Sequence, residues 1–174
     1  MKLCIKIFMI ALIFTGCDKD KPTCQGIDCL PPATQTGAGT FGCLVNGVPY
    51  VDNSGRFNCF YQLVNGEYRF NLSPNFERKL FNELDIGCRN VNFTTTQSFD
   101  LAISTDGGGA ATWFIGNELR DISTNLNYNG MCQITNFSST TKTISGTFEF
   151  KIFDEVTQTL YVITEGRFDS KFTQ

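Results

Sequence analysis

An Asn-Gly dipeptide at 65–66, set between two alternating segments, constrains this chain more than any other feature. A two-residue Asn-Gly loop favours the type I′ turn, whose twist matches that of paired strands and which leaves no freedom of register. Residues 56–64 and 67–73 then meet as Leu63 with Tyr68, Tyr61 with Phe70 and Cys59 with Leu72 on one face. On the other face Gln62 meets Arg69 and Val64 meets Glu67, with Phe60 opposite Asn71 as the aromatic exception. A slip of one residue would scramble that separation, so hairpin and register stand together.

The same signals recur along the chain. A second Asn-Gly, at 46–47, joins 41–45 to 48–51 as another hairpin. The segment 80–88 alternates at Leu84, Ile86 and Cys88, and 98–104, 110–115 and 131–137 read as strands, while 118–125 is ambiguous. Phe148, Phe150 and Ile152 alternate with Thr147, Glu149 and Lys151. A near-continuous apolar strand follows at 159–164, and then Phe168 and Phe172 alternate with Arg167, Asp169 and Lys171. Gly146 and Gly166 interrupt strand patterns, as glycines do at bulges or close backbone approaches. Seventeen phenylalanines among many Thr, Asn, Gly and Ser residues favour strands and tight turns over helices. The expectation is an all-β domain, an antiparallel β-sandwich of about nine or ten strands, with a closed or partly open β-barrel as the alternative.

The N-terminus reads differently. Lys2 and Lys6 flank a basic start, 7–14 is apolar throughout, and Thr15-Gly16 places small residues before Cys17. An apolar run this short is a signal-peptide core and cannot cross a bilayer as a permanent helix. IFTGC matches the bacterial lipobox, although Phe14 is bulkier than is usual there, so Cys17 is expected to carry lipid. The division that follows is a signal peptide at 1–16, a lipidated tether at 17–39 containing Pro22, Pro31 and Pro32, and a single β domain at 40–174. Net charge is −3 with the signal present and more negative without Lys2 and Lys6, and no basic block occurs. Nucleic acid is therefore not an expected partner, and membrane contact is expected through the N-terminal lipid alone.

Eight cysteines are present. Cys4 leaves with the signal and Cys17 takes lipid, so Cys24, Cys29, Cys43, Cys59, Cys88 and Cys132 remain as disulfide candidates. A zinc site would want C-x-x-C spacing or histidines, and the chain has no histidine, so neither metal nor cofactor is expected. Cys24–Cys29 would close a small loop in the tether. The other four share core-facing parity, and proximity in sequence pairs them as Cys43–Cys59 and Cys88–Cys132.

Chemistry has few places to reside. Lack of histidine removes Ser-His and Cys-His nucleophile pairs. A carboxylate pair could support glycoside hydrolysis, and Glu77, Glu83, Asp85, Glu118 and Asp121 are the candidates, though no spacing singles out two of them. Asp106-Gly107-Gly108-Gly109 precedes a strand where a phosphate loop needs a helix, and it lacks the oxygen ligands of a calcium loop. It reads as a turn. Trp113 and Phe114 are adjacent on a strand and point to opposite faces, so one is core and the other is available to stack on a sugar or a protein.

The C-terminal TISGTFEF and LYVITEGRFD, with the lead-in LPPATQTGAGTFGCLVNG, resemble a family of uncharacterised Bacteroidota-type outer-membrane lipoproteins over roughly 30–172. That resemblance implies an all-β domain anchored in the outer membrane, on its periplasmic side or at the cell surface, and brings no activity or site residues with it. The expected role is a non-catalytic binding domain, not an enzyme, for an envelope protein, a glycan or a small ligand. Two alternatives stand beside it. One is an inhibitor or immunity-type protein that presents the loop at 105–111 or 74–79 to a hydrolase; the other is a carboxylate-dependent glycoside hydrolase.

Overall fold

The computed structural model describes residues 24–52, 58–74, 82–94, 96–115 and 120–174. The signal segment, Cys17, Glu77 and Glu118 lie outside these described residues, as does the 75–79 part of the 74–79 loop. Eleven strands are present among the described residues: β1 Thr40–Val45, β2 Val48–Val51, β3 Asn58–Val64, β4 Glu67–Ser73, β5 Asn82–Arg89, β6 Gln97–Leu101, β7 Gly109–Ile115, β8 Arg120–Ser123, β9 Gly130–Ser138, β10 Thr143–Asp154 and β11 Thr159–Lys171. The only helical element among the described residues is a short 3-10 helix at Gly26–Cys29.

Both hairpins have the expected form. The β3–β4 register is Cys59 with Leu72, Tyr61 with Phe70 and Leu63 with Tyr68. Asn65 and Gly66 both adopt positive φ, at 53° and 84°, as a type I′ turn requires.

All strands join one sheet in the order β2-β1-β11-β10-β9-β6-β7-β5-β4-β3, with β8 on β7. Pairing is antiparallel except at Leu101 with Gly109, where β6 meets β7 in parallel. The sheet curls into a half-barrel, the partly open form of the expected all-β architecture. Its far end is tied back by the chain terminus: Tyr61 N–H donates to Thr173 O at 2.9 Å and Thr173 N–H to Cys59 O at 3.0 Å. Inside the curl lie Phe41, Phe70, Phe99, Phe148, Phe150 and Phe168. Each buried side chain of this size contributes about 2 kcal/mol of hydrophobic stabilisation.

The two segments read separately at 159–164 and 167–172 belong to one strand, β11, with a bulge. Its register slips against both β1 and β10 at Glu165, which has a φ of 55°. Ile163 faces inward before the bulge, and Gly166 and Phe168 face inward after it. That reversal of parity breaks the alternation in the sequence. Gly146 pairs with Phe168 and Gly166 with Phe148. A Cβ at Gly146 would lie 2.7 Å from the Phe168 ring, so each glycine makes room for the phenylalanine across from it.

Cys24 and Cys29 form the expected disulfide, with Cα atoms 5.0 Å apart. The pairings Cys43–Cys59 and Cys88–Cys132 are not formed. All four side chains point into the core, as their parity implied, but they are free buried thiols. Proximity in sequence misled because strand order departs from sequence order. β5 and β9 are three strand steps apart, about 14 Å along the sheet, against the roughly 4–7 Å between Cα atoms that a disulfide spans. Burial pushes the thiols of Cys43 and Cys59 up to about 12, so they remain protonated and inert.

The described part of the 17–39 tether, 24–39, is not a free linker. Leu30 is buried, Pro31 packs over Gly42, and 34–39 is bound to β11. The described part of the tether thus becomes part of the domain's wall.

Candidate functional site

The outward positions of β3, β4, β5 and β7 build one continuous surface. Pairing sets Phe60, Asn71, Gly87 and Ala110 in one row across it. A neighbouring row holds Asn58 and Ser73, then Asp85 and Thr112. Arg69 faces Arg89 on the other side of the central row. Gly87 and Ala110 keep the centre low while longer side chains stand around it, which leaves a groove of about 350 Å³. Phe60 and Phe114 stand at its sides. Phe114 is 43% exposed and Trp113 only 4%, so the adjacent pair divides between surface and core as parity requires.

A chain of polar contacts lines the groove and stops short of completion. Asn71 Nδ2 donates to Ser73 Oγ at 2.7 Å, and Ser73 in turn hydrogen-bonds Asp85. Arg89 Nη2 donates to Glu67 Oε2 at 3.0 Å, and Arg69 Nη2 lies 3.7 Å from the same oxygen. Among the described residues, two buried atoms here have no hydrogen-bond partner: Asp85 Oδ1 and Arg89 Nε. An unpaired buried polar group typically costs about 1–3 kcal/mol, more when charged, so two in one groove need an explanation. Burial pushes the Asp85 carboxyl above its ordinary value and nearby Glu83 adds to this, while the Ser73 hydrogen bond opposes it.

Two fully buried carboxylates, Asp169 and Asp154, are saturated. Asp169 accepts from Thr34 Oγ1 at 2.6 Å, from the backbone N–H groups of Thr36, Gly37 and Ala38 at 2.8–3.1 Å, and from Ser145 Oγ at 2.8 Å. Burial alone would raise its pKa, but the bonds from Thr34, Thr36, Ser145 and Gly37 hold it well below the usual carboxylate range. Asp154 is held low chiefly by the Arg120 guanidinium, against burial, at 2.6 and 2.7 Å in a two-pronged pair. Thr157 and Val156 help by capping it across the β10–β11 turn. Both groups hold chain segments in place.

The remaining sequence candidates are exposed or structural. Glu83 and Asp121 are exposed and flank Phe114 in register, on the same outer surface as Asp85. Among the described residues no group of His, Cys, Asp and Glu side chains could hold a metal ion. The loop at 106–109 clasps the end of β5: Gly107 N–H donates to Arg89 O and Arg89 N–H to Gly108 O, each at 3.0 Å. It fixes the arginine end of the groove.

A second hollow, of about 530 Å³, opens beside Tyr61, Tyr68, Phe93 and Phe137. There Tyr61 Oη accepts from Phe93 N–H at 2.9 Å and donates to Val91 O at 3.2 Å, so its hydroxyl pins the 91–93 loop. The groove residues Asn71, Gly87 and Arg89 were not candidates from sequence. The available signal was Phe60, the aromatic residue on a mainly polar hairpin face.

Comparison with known proteins gives no match to any family model, curated protein or solved structure. The site therefore stands on its own geometry.

Proposed function

We propose that this chain is a lipid-anchored cell-envelope protein whose β domain is a non-catalytic binding module, with its ligand seated in the β3–β4–β5–β7 groove. One observation carries the reading: a buried acceptor, Asp85 Oδ1, and a buried donor, Arg89 Nε, both unpartnered among the described residues, share a groove flanked by partly exposed rings. A ligand that satisfies both recovers the cost of leaving them bare. The anchor reading rests on Cys17 and the apolar segment before it.

The position of the tether supports this arrangement. Asp169 binds 34–38 on β11, which is four strands away from β7 and five from β5 in sheet order. The described part of the tether, 24–39, packs against β1, β2 and β11 and does not cover the groove. The inhibitor alternative is weaker, because the 106–109 part of its loop is engaged in holding Arg89. Hydrolysis is weaker too, since the acids near Asp85 do not pair with it across the groove: Glu83 is exposed on the same strand, and Glu67 is taken up by Arg69 and Arg89.

Full-length tagged protein, wild type or Asp85→Ala, is incubated with isolated envelope material from the producing cells. Retention of material by the wild type and its loss in the variant is the expected result. Equal retention by both would remove the groove from the account. In the same cells Cys17→Ser should move the protein out of the membrane fraction.

A further inference from the structure

Resting on that groove as the binding site, we infer that its occupant is a neutral glycan chain. The unpartnered atoms set the first requirement. Asp85 Oδ1 needs a donor and Arg89 Nε needs an acceptor, and a hydroxyl supplies either. Ser73, Thr112 and Asn71 extend the same hydroxyl-compatible lining along the groove.

Charge sets the second requirement. Arg69 and Arg89 are paired with Glu67, which lies within 3.7 Å of both, and Asp85 stands four residues along β5 from Arg89, so two arginines and two acids leave the groove without net charge. An anionic ligand placed on Arg89 would confront the Glu67 carboxylate already paired with it, and a cationic one placed on Asp85 would meet Arg69 and Arg89 further along the same groove. A neutral ligand satisfies both without opposing either.

Shape sets the third. Phe60 is three strand steps from Ala110, and Phe114 is four residues further along β7. At sheet spacings this is about 14 Å in each direction, or roughly 20 Å on the diagonal. Two rings so far apart fit the apolar faces of separate units in one chain better than a single small molecule. A peptide adding as a strand has no place on β4, β5 or β7, which are paired along both edges, and at β3, the last strand of the sheet, Thr173 already bonds Cys59 and Tyr61 along the outer edge.

The test uses full-length protein immobilised in detergent and envelope material in three portions: untreated, protease-digested and periodate-oxidised. The variants are Asp85→Ala and Phe114→Ala, with Glu149→Ala on a distant strand as control; thermal melts establish that each is folded. The expected result is capture that survives protease and is lost after periodate, which cleaves vicinal diols. It should fall roughly tenfold in Phe114→Ala and ten- to a hundredfold in Asp85→Ala, and stay unchanged in Glu149→Ala. Capture lost to protease and resistant to periodate, yet still weakened by both groove variants, would overturn the glycan and leave the groove standing. Capture equal in wild type and groove variants, or none by the wild type, would overturn the groove itself.

Discussion

Asp169 and Asp85 are two carboxylates of one sheet with opposite surroundings. Asp169 accepts five hydrogen bonds at 3.1 Å or less, from Thr34, Thr36, Gly37, Ala38 and Ser145, and binds the tether to β11. Asp85 has the help of Ser73 and leaves one oxygen bare among the described residues. The first is held low in pKa and the second is pushed up. The contrast separates a carboxylate that serves the fold from one that the fold leaves for something else.

The largest expected effect is at Asp169. Asp169→Ala strips partners from three consecutive N–H groups, and the cost is about 3 kcal/mol, or a fall in Tm of roughly 10 °C, measurable by calorimetry. Asp85→Asn breaks the comparison in the other direction. Ionised Asp85 costs the free fold stability, so the variant should melt at or slightly above the wild-type Tm while losing capture.

Acidity sharpens the same contrast. Groups held low, Asp169 and Asp154, stabilise fully above the ordinary carboxylate range, and that stability is lost as pH falls below about 4. The elevated Asp85 has the reverse sign: its cost is present above its folded pKa and is relieved as pH falls through it. Ligand capture, which needs the carboxylate, should weaken over that higher interval, before the melting temperature drops. Around Asp85 the charged neighbours are Glu83 on its own strand and Arg69, Arg89 and Glu67 along the groove, and none of them requires this order to change.

A smaller effect is expected at the thiols. Cys43, Cys59, Cys88 and Cys132 are buried, so a thiol reagent should find none in the native protein and four in guanidinium, with one disulfide surviving at Cys24–Cys29. Six reactive thiols after unfolding, or none, would contradict the cysteine assignment.

Much of the fold was legible because local rules act locally. Asn65-Gly66 set a register that the sheet keeps in every pair, and adjacent Trp113 and Phe114 divided as strand parity demands. Long-range order was not legible. β1 lies beside β11, and the bulge at Glu165 reverses parity within one strand, so neither the sheet order nor the disulfide partners followed from sequence spacing. Asp85 was one of five acids that could not be told apart. Only the packing of β4 and β7 against β5 gives it a buried, unpaired oxygen and sets Arg69 beside Arg89, four residues along β5. Phe60 was visible as an exception on a polar face, and it proves to be a wall of the groove.

The most direct measurement is the titration of the individual carboxyl carbons by NMR, with and without protease-digested envelope material. A hydroxyl donating to Asp85 favours its ionised form, so the account predicts that the Asp85 titration moves down on binding while that of Asp169 stays where it was. An Asp85 curve unmoved under conditions where the material is bound would contradict the account.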